Sequence, residues 1–147
     1  MKKPADESSQ RVFITGASSG IGRALARYYA RQGARLGLVA RRQSELEALM
    51  AELDVPCAIY PLDVRDADAL AQAAQTFMQR FGVPDIVIAN AGVSRGTLTE
   101  YKQDIAAFKA IMDINVLGMV HTFQPFIQAM KSAAAWVRAS AFLTSNG

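Results

Sequence analysis

Two kinds of apolar pattern alternate along the chain. Short uninterrupted runs recur at Val12-Phe13-Ile14, Leu36-Gly37-Leu38-Val39-Ala40, Cys57–Leu62 and Ile86-Val87-Ile88-Ala89. Between them lie longer stretches whose apolar residues return every third or fourth position, first Ile21, Leu25, Tyr28 and Tyr29, then Leu46, Leu49, Met50 and Leu53. A short continuous run fits a strand buried on both faces, and the longer period fits a helix with one buried face. The pattern predicts strands over Arg11–Thr15, Leu36–Ala40, Cys57–Leu62 and Asp85–Ala89. It predicts helices from Gly20 to about Arg31, over Gln43–Leu53 and over Asp66–Phe81. A long helical stretch should follow from Gln103 to about Met130, with Ile105, Phe108, Ile111, Met112, Val116 and Val120 at helical spacings. Gly33 reads as the C-terminal stop of the first helix, and Asp66 or Asp68 as the N-cap of the third.

Four strand–helix alternations call for an α/β fold, a Rossmann-like doubly wound parallel sheet with helices on both faces and right-handed crossovers. With about four strands the sheet reads as incomplete, and its fourth strand as an edge that exposes apolar surface. A length of 147 residues fits one domain. Residues 1–10 are polar and read as a flexible tail, residues 11–131 as the domain, and residues 132–147 as an atypical tail in which the pattern is lost.

Composition narrows the function little. Apolar residues make up 51% of the chain and the net charge is +3. The pI near 9.2 could point to nucleic acid, but the basic residues are scattered, with Lys2-Lys3 and Arg41-Arg42 the adjacent pairs. Nucleic-acid binding is therefore not expected, since it needs a clustered phosphate-contacting surface. Cys57 stands alone, which excludes an internal disulfide, and belongs in a buried strand. His121 is the sole histidine, so no metal-ligand set forms around it, and a structural or solvated role is expected. No apolar h-region opens the chain and no apolar run reaches membrane-spanning length, so a cytoplasmic protein without a membrane partner is expected.

The chemistry begins at Thr15-Gly16-Ala17-Ser18-Ser19-Gly20-Ile21-Gly22, where the first strand turns into the first helix. Gly16 permits the sharp exit from the strand, Gly20 lets backbone approach a diphosphate, and Gly22 permits close helix–strand packing. The amides at the helix start, with its partial positive charge, then face the anion, Ser18 and Ser19 among them. A nucleotide-triphosphate P-loop is excluded, because no Gly-Lys-Ser or Gly-Lys-Thr follows.

With Thr15–Gly22, Leu62-Asp63-Val64, Asn90-Ala91-Gly92 and Asp113-Ile114-Asn115-Val116 in this order, the chain resembles the short-chain dehydrogenase/reductase family. The resemblance implies a nicotinamide dinucleotide cofactor. Asp63 would accept from the adenine amino group, with the backbone of Val64 against the ring. Asn90, Ala91 and Gly92 would line the cleft where the ribose approaches, and Asn90 would also brace the sheet. Asn115 matches the helix Asn of a catalytic set whose other members are Ser, Tyr and Lys. A helical Asn is otherwise awkward, since it competes for backbone hydrogen bonds.

Cofactor choice is legible at the end of the second strand. NAD-selective sites carry an acidic residue roughly 20 residues after the glycines to accept the ribose 2′-hydroxyl. Here the strand ends Ala40-Arg41-Arg42, with no carboxylate before Glu45. A guanidinium holds a 2′-phosphate bidentately where a carboxylate would repel it. NADP(H) is therefore favoured over NAD(H), with Arg41 as first contact, Arg42 close behind and Ser18 as a hydroxyl donor.

By resemblance the family reaction moves hydride between the nicotinamide and an alcohol or carbonyl carbon, with a Tyr handling the proton and a Lys four residues later lowering its pKa. The four tyrosines, Tyr28, Tyr29, Tyr60 and Tyr101, are followed at that spacing by Gln32, Gly33, Val64 and Ile105. Ser140 and Ser145 fall where the family Ser is expected, but neither sits in a convincing strand-plus-glycine context. The resemblance stops near Lys131, as an early stop or a shifted reading frame would produce; the alternative is a tail that forms a degenerate strand in a genuinely short protein. The expectation is a truncated oxidoreductase segment, inactive alone, from a family that acts on small carbonyls or alcohols and forms homo-oligomers through the long helix. The rivals are a non-catalytic NADP(H)-binding module, a gene product without function of its own, and a second polypeptide that supplies Tyr and Lys in trans.

Overall fold

A computed structural model describes residues 8–94, 96–98, 100–133 and 139–141. Five parallel strands form one sheet in the order β3-β2-β1-β4-β5: β1 Arg11–Thr15, β2 Arg35–Ala40, β3 Cys57–Pro61, β4 Ile86–Ala89 and β5 Ala139–Ala141. The helices are α1 Gly20–Arg31, α2 Gln43–Glu52, α3 Ala67–Phe81, α4 Asp104–Met112 and α5 Gly118–Ser132. A π-helical turn over Asp113–Leu117 joins α4 to α5. The expected elements are in place, with ends shifted by a residue or two. Gly33 stops α1 with φ 77° and donates its N–H to Ala30. Asp66 caps α3 by accepting the Ala69 N–H at 3.0 Å.

The alternation of side chains along the strands builds two cores. Val12 and Ile14 of β1 join Leu36, Leu38, Leu46, Leu49 and Cys57 on the face covered by α1 and α2. Phe13 points the other way, into a cluster with Phe77 of α3 and Phe126 of α5, at ring-centroid distances of 5.4 and 4.8 Å. Gly37, Phe13's register partner in β2, makes room for this cluster. A Cβ on Gly37 would lie 2.6 Å from the Phe77 ring and 2.7 Å from the Phe13 ring.

Two expectations need correction. The fourth strand is not the sheet edge: β5 pairs with it in parallel, Val87 against Ala139, Ile88 against Ser140 and Ala89 against Ala141. Ser140 therefore does have a strand context, whereas Ser145 lies outside the described residues. The sequence offers it only as a degenerate strand, because Ala-Ser-Ala carries almost no β-propensity and pairing to β4 decides the conformation. Second, the continuous helical stretch Asp104–Ser132, 29 residues, is long and apolar enough on length and composition to cross a membrane. Polar residues such as Asp113, Asn115 and Gln124 interrupt it, so no single apolar run betrays it. On one side Phe126 and Met130 are buried against the sheet layer. On the other Ile105, Phe108, Met112, Val116, Leu117 and Val120 are exposed.

At the sheet's N-terminal end an ion pair joins β1 to β4. The Arg11 guanidinium donates to both Asp85 carboxylate oxygens, at 3.0 and 2.8 Å, and the Arg11 backbone N–H donates at 2.8 Å.

Gly37→Ala should lower the unfolding free energy by ~2 kcal/mol through overpacking of the phenylalanine cluster, measured by urea denaturation. The Arg11 bonds hold the Asp85 carboxyl below the ordinary carboxylate range. A depressed carboxylate contributes stability that is full above its unfolded value, about 3.9, and is lost as pH falls through the folded one. Stability should therefore drop on acidification below about pH 4, and Asp85→Asn should flatten part of that dependence in pH-dependent urea titrations.

Candidate functional site

The site is built where the chain crosses itself at the C-terminal ends of the strands. Thr15 ends β1 buried, and its Oγ1 accepts the backbone N–H groups of Asn90 and Ala91, each at 3.2 Å. Asn90 returns the contact, its Nδ2 donating to the Gly16 carbonyl at 3.1 Å. This pins the β1–α1 turn to the end of β4, between the two strands where the winding direction of the sheet reverses. In open α/β sheets such a crevice is the common ligand position.

The glycines of the turn are required by space and by backbone conformation. A Cβ on Gly22 would lie 2.0 Å from the Gly16 carbonyl oxygen, and one on Gly16, at φ 67°, would lie 2.8 Å from the Ala91 backbone. The close contact of Gly22 is thus with the turn itself rather than with the strand. Gly20 has φ 51° and open space beside it. Ser19, the N-cap of α1, makes no side-chain cap bond, so the first amides of the helix remain available to an anion.

A cleft of about 540 Å³ runs across these strand ends. Gly16, Ser18, Ser19, Gly20 and Ile21 form its middle, Arg41 and Arg42 one side, Asp63 and Val64 its far end, and Asn90, Ala91 and Gly92 the wall toward β4. Gly22 stands behind the turn, outside the lining. Sequence reasoning missed Ala40, Leu62, Val93 and Ile114, which also line the cleft. Leu62 and Ile114 stand inside the motifs that carry the resemblance, and Ala40 and Val93 directly adjoin Arg41 and Gly92.

The charged residues of the cleft differ in how far they are engaged. Arg42 pairs with Glu45 at 2.9 Å. Arg65, unforeseen, closes on Asp63: its Nη2 donates to Oδ2 at 2.7 Å and its backbone N–H to Oδ1 at 2.9 Å. These bonds hold the Asp63 carboxyl below the ordinary carboxylate range, chiefly through the Arg65 side chain. No ion pair joins Arg41 among the described residues, although its charge is felt at Asp63. Asn90 is 4% exposed, and its Oδ1 is buried without a partner. Together, open amides, an uncommitted guanidinium and a Cβ-free turn fit a phosphorylated ligand.

Asn115 sits in the π-helical turn, and its side chain explains why a helix tolerates it. Its Oδ1 accepts the Val93 N–H at 2.9 Å and its Nδ2 donates to the Val93 carbonyl at 2.8 Å. The loop after β4 is thus held at both backbone groups. Among the tyrosines, Tyr60 of β3 has a buried hydroxyl without a partner, and burial pushes its phenol up to about 12. Proton exchange near neutrality needs the opposite shift. The described residues contain no group of three or more side chains suited to a metal.

A sequence model of the short chain dehydrogenase family matches residues 10–137. The 11-beta-hydroxysteroid dehydrogenase 1A of Arabidopsis thaliana is 37% identical over 142 residues, an alignment that takes in 87% of this chain and 41% of that protein. The chain therefore spans about two fifths of that relative's length. An alcohol dehydrogenase from the archaeon Thermococcus sibiricus, complexed with 5-hydroxy-NADP, superposes with a TM-score of 0.79 at 33% identity, covering 90% of this chain and 57% of that one. Carveol dehydrogenase from Mycobacterium avium, in complex with NAD, gives 0.82 at 26% identity over 92% and 55%.

Asn115→Leu should leave both backbone groups of Val93 unpaired and cost ~2 kcal/mol of stability. Hydrogen exchange at the Val93 amide should accelerate well beyond that of the β1 amides.

Proposed function

Because this chain belongs to the short-chain dehydrogenase family, we propose that it is the cofactor-holding part of an NADP(H)-dependent oxidoreductase of alcohols or carbonyls. The observation that carries the reading is the Cβ-free turn of Gly16 and Gly22 beneath open α1 amides, beside the Arg41 guanidinium, which has no ion pair among the described residues. In this reading the diphosphate lies on the amides at Gly20 and Ile21, and Ser18 and Arg41 take the 2′-phosphate. Asp63 and Val64 face the adenine, and Asn90, Ala91 and Gly92 the ribose. Arg42 is committed to Glu45 and contributes less than Arg41. Structural neighbours carry both NADP-type and NAD ligands, so the preference rests on Arg41 and on the absence of a carboxylate at the end of β2.

The bound dinucleotide supplies or takes the hydride. This chain's own residues bind and orient it: Thr15 and Asn90 fix the phosphate turn, and Asn115 fixes the wall at Val93. No Tyr in the 147 residues has a Lys four positions later, and the Tyr60 phenol is shifted the wrong way for neutral proton exchange. The 147-residue chain by itself therefore binds cofactor without turning over. The exposed apolar face of Ile105, Phe108, Val116 and Val120 supports self-association along the long helix, and the scattered charge supports a protein without a nucleic-acid partner.

Arg41→Ala should weaken NADPH binding by about tenfold to a hundredfold, as loss of charged hydrogen bonds predicts, while NADH affinity changes about twofold or less. Fluorescence titration of both nucleotides measures this. Equal losses for the two would remove Arg41 from the 2′-phosphate, and steady-state ketone reduction by the isolated chain would overturn the division between binding and chemistry.

A further inference from the structure

His121 does something in this fold that the cofactor cleft alone does not reveal. Its ring Nδ1 lies 2.9 Å from the carbonyl oxygen of Val64, 57 positions earlier in the chain. A carbonyl can only accept, so Nδ1 carries the proton and donates. The same helix approaches Val64 one turn earlier. A Cβ on Gly118 would stand 2.7 Å from Val64 Cγ2, so the missing side chain lets α5 pack directly on that valine. Val64 is 6% exposed and lines the end of the cleft beside Asp63.

The peptide joining Val64 to Arg65 is held on both sides. Its carbonyl is taken by His121, and its N–H is taken by the Asp63 carboxylate at 2.9 Å. A peptide unit is planar, so fixing the carbonyl fixes the direction of the N–H. The orientation of the Asp63 carboxylate is thereby coupled to a side chain on a distant helix. Without His121, the Val64 carbonyl would face α5 unpaired, at a cost that favours reorientation of the whole unit.

We propose that His121 is a positioning residue for the adenine end of the cleft, which it holds by donating from Nδ1 to the Val64 carbonyl. The proposal rests on the reading of Asp63 and Val64 as the adenine subsite. Asn115, Gly118 and His121 stand three residues apart on the long helix. One helix face thus secures the cleft at two walls, Val93 through Asn115 and Val64 through Gly118 and His121.

The test uses the 147-residue chain, whose single histidine gives an unambiguous signal. Nitrogen-15 NMR at neutral pH should show the proton of the neutral ring on Nδ1; a proton on Nε2 with Nδ1 bare would overturn the bond. Calorimetry then compares adenosine 2′,5′-bisphosphate binding in three proteins. His121→Leu should weaken it about tenfold, equivalent to ~1.4 kcal/mol. His121→Asn places an amide N–H at the same bond count from the backbone and should stay within about twofold of wild type. Leu binding as tightly as His, or Asn binding as weakly as Leu, overturns the proposal. If wild type itself fails to bind the bisphosphate, the adenine reading of the cleft falls and the proposal with it; the NMR result then still reports whether the bond exists. A Leu variant that does not fold leaves the tautomer and the Asn variant to decide.

Discussion

The crossing of the β1–α1 turn against the end of β4 is the constraint on which everything else rests. Gly22 and Gly16 leave no space for side chains where the chain touches itself, with a would-be Cβ only 2.0 Å from a carbonyl oxygen. That close approach brings Asn90 under the turn and lets Thr15 accept two backbone amides. The amides of α1 then open into a cleft rather than into solvent. A side chain at either glycine would push the helix start away from β4 and open the wall of the cleft.

The long helix supplies the second half of the construction. Its π-helical turn admits one extra residue per turn, which interrupts the regular ladder at Asp113–Leu117. Asn115, freed from a helix-interior role, reaches across to hold Val93 at both of its backbone groups. About three turns on, Phe126 completes the cluster around Phe13. The element that shapes the cleft is therefore anchored in the same aromatic core that stacks on the sheet, and a change in either is felt in both.

Much of this was legible in the chain because it is local. The strands β1 to β4 are continuous apolar runs, Gly33 and Asp66 mark helix ends by their own backbone chemistry, and the motif glycines specify a turn that few other sequences can make. What escaped was non-local. Arg65 closing on Asp63 left only a two-residue spacing as a clue, and nothing local distinguishes it from a solvated arginine. His121 reads as structural or solvated because its partner lies 57 residues away. The π-helical turn has no composition of its own, and β5 is set by β4 rather than by Ala-Ser-Ala.

The charges around the cleft follow one logic. Two carboxylates beside the cleft have a cation of their own: Asp63 has Arg65 and Glu45 has Arg42. These pairs are partly exposed, and such pairs add little to stability. They leave Arg41 facing the cleft with no ion pair among the described residues, although Asp63 feels its charge. A phosphate entering there need not displace an existing partner, whereas at Arg42 it would compete with Glu45. Under the proposed reading, a ribose phosphate is told from a ribose hydroxyl partly by what the neighbouring carboxylates are already bound to. In that reading the residue after β2 does not act alone: it acts together with the pairing of Asp63 with Arg65 and of Glu45 with Arg42.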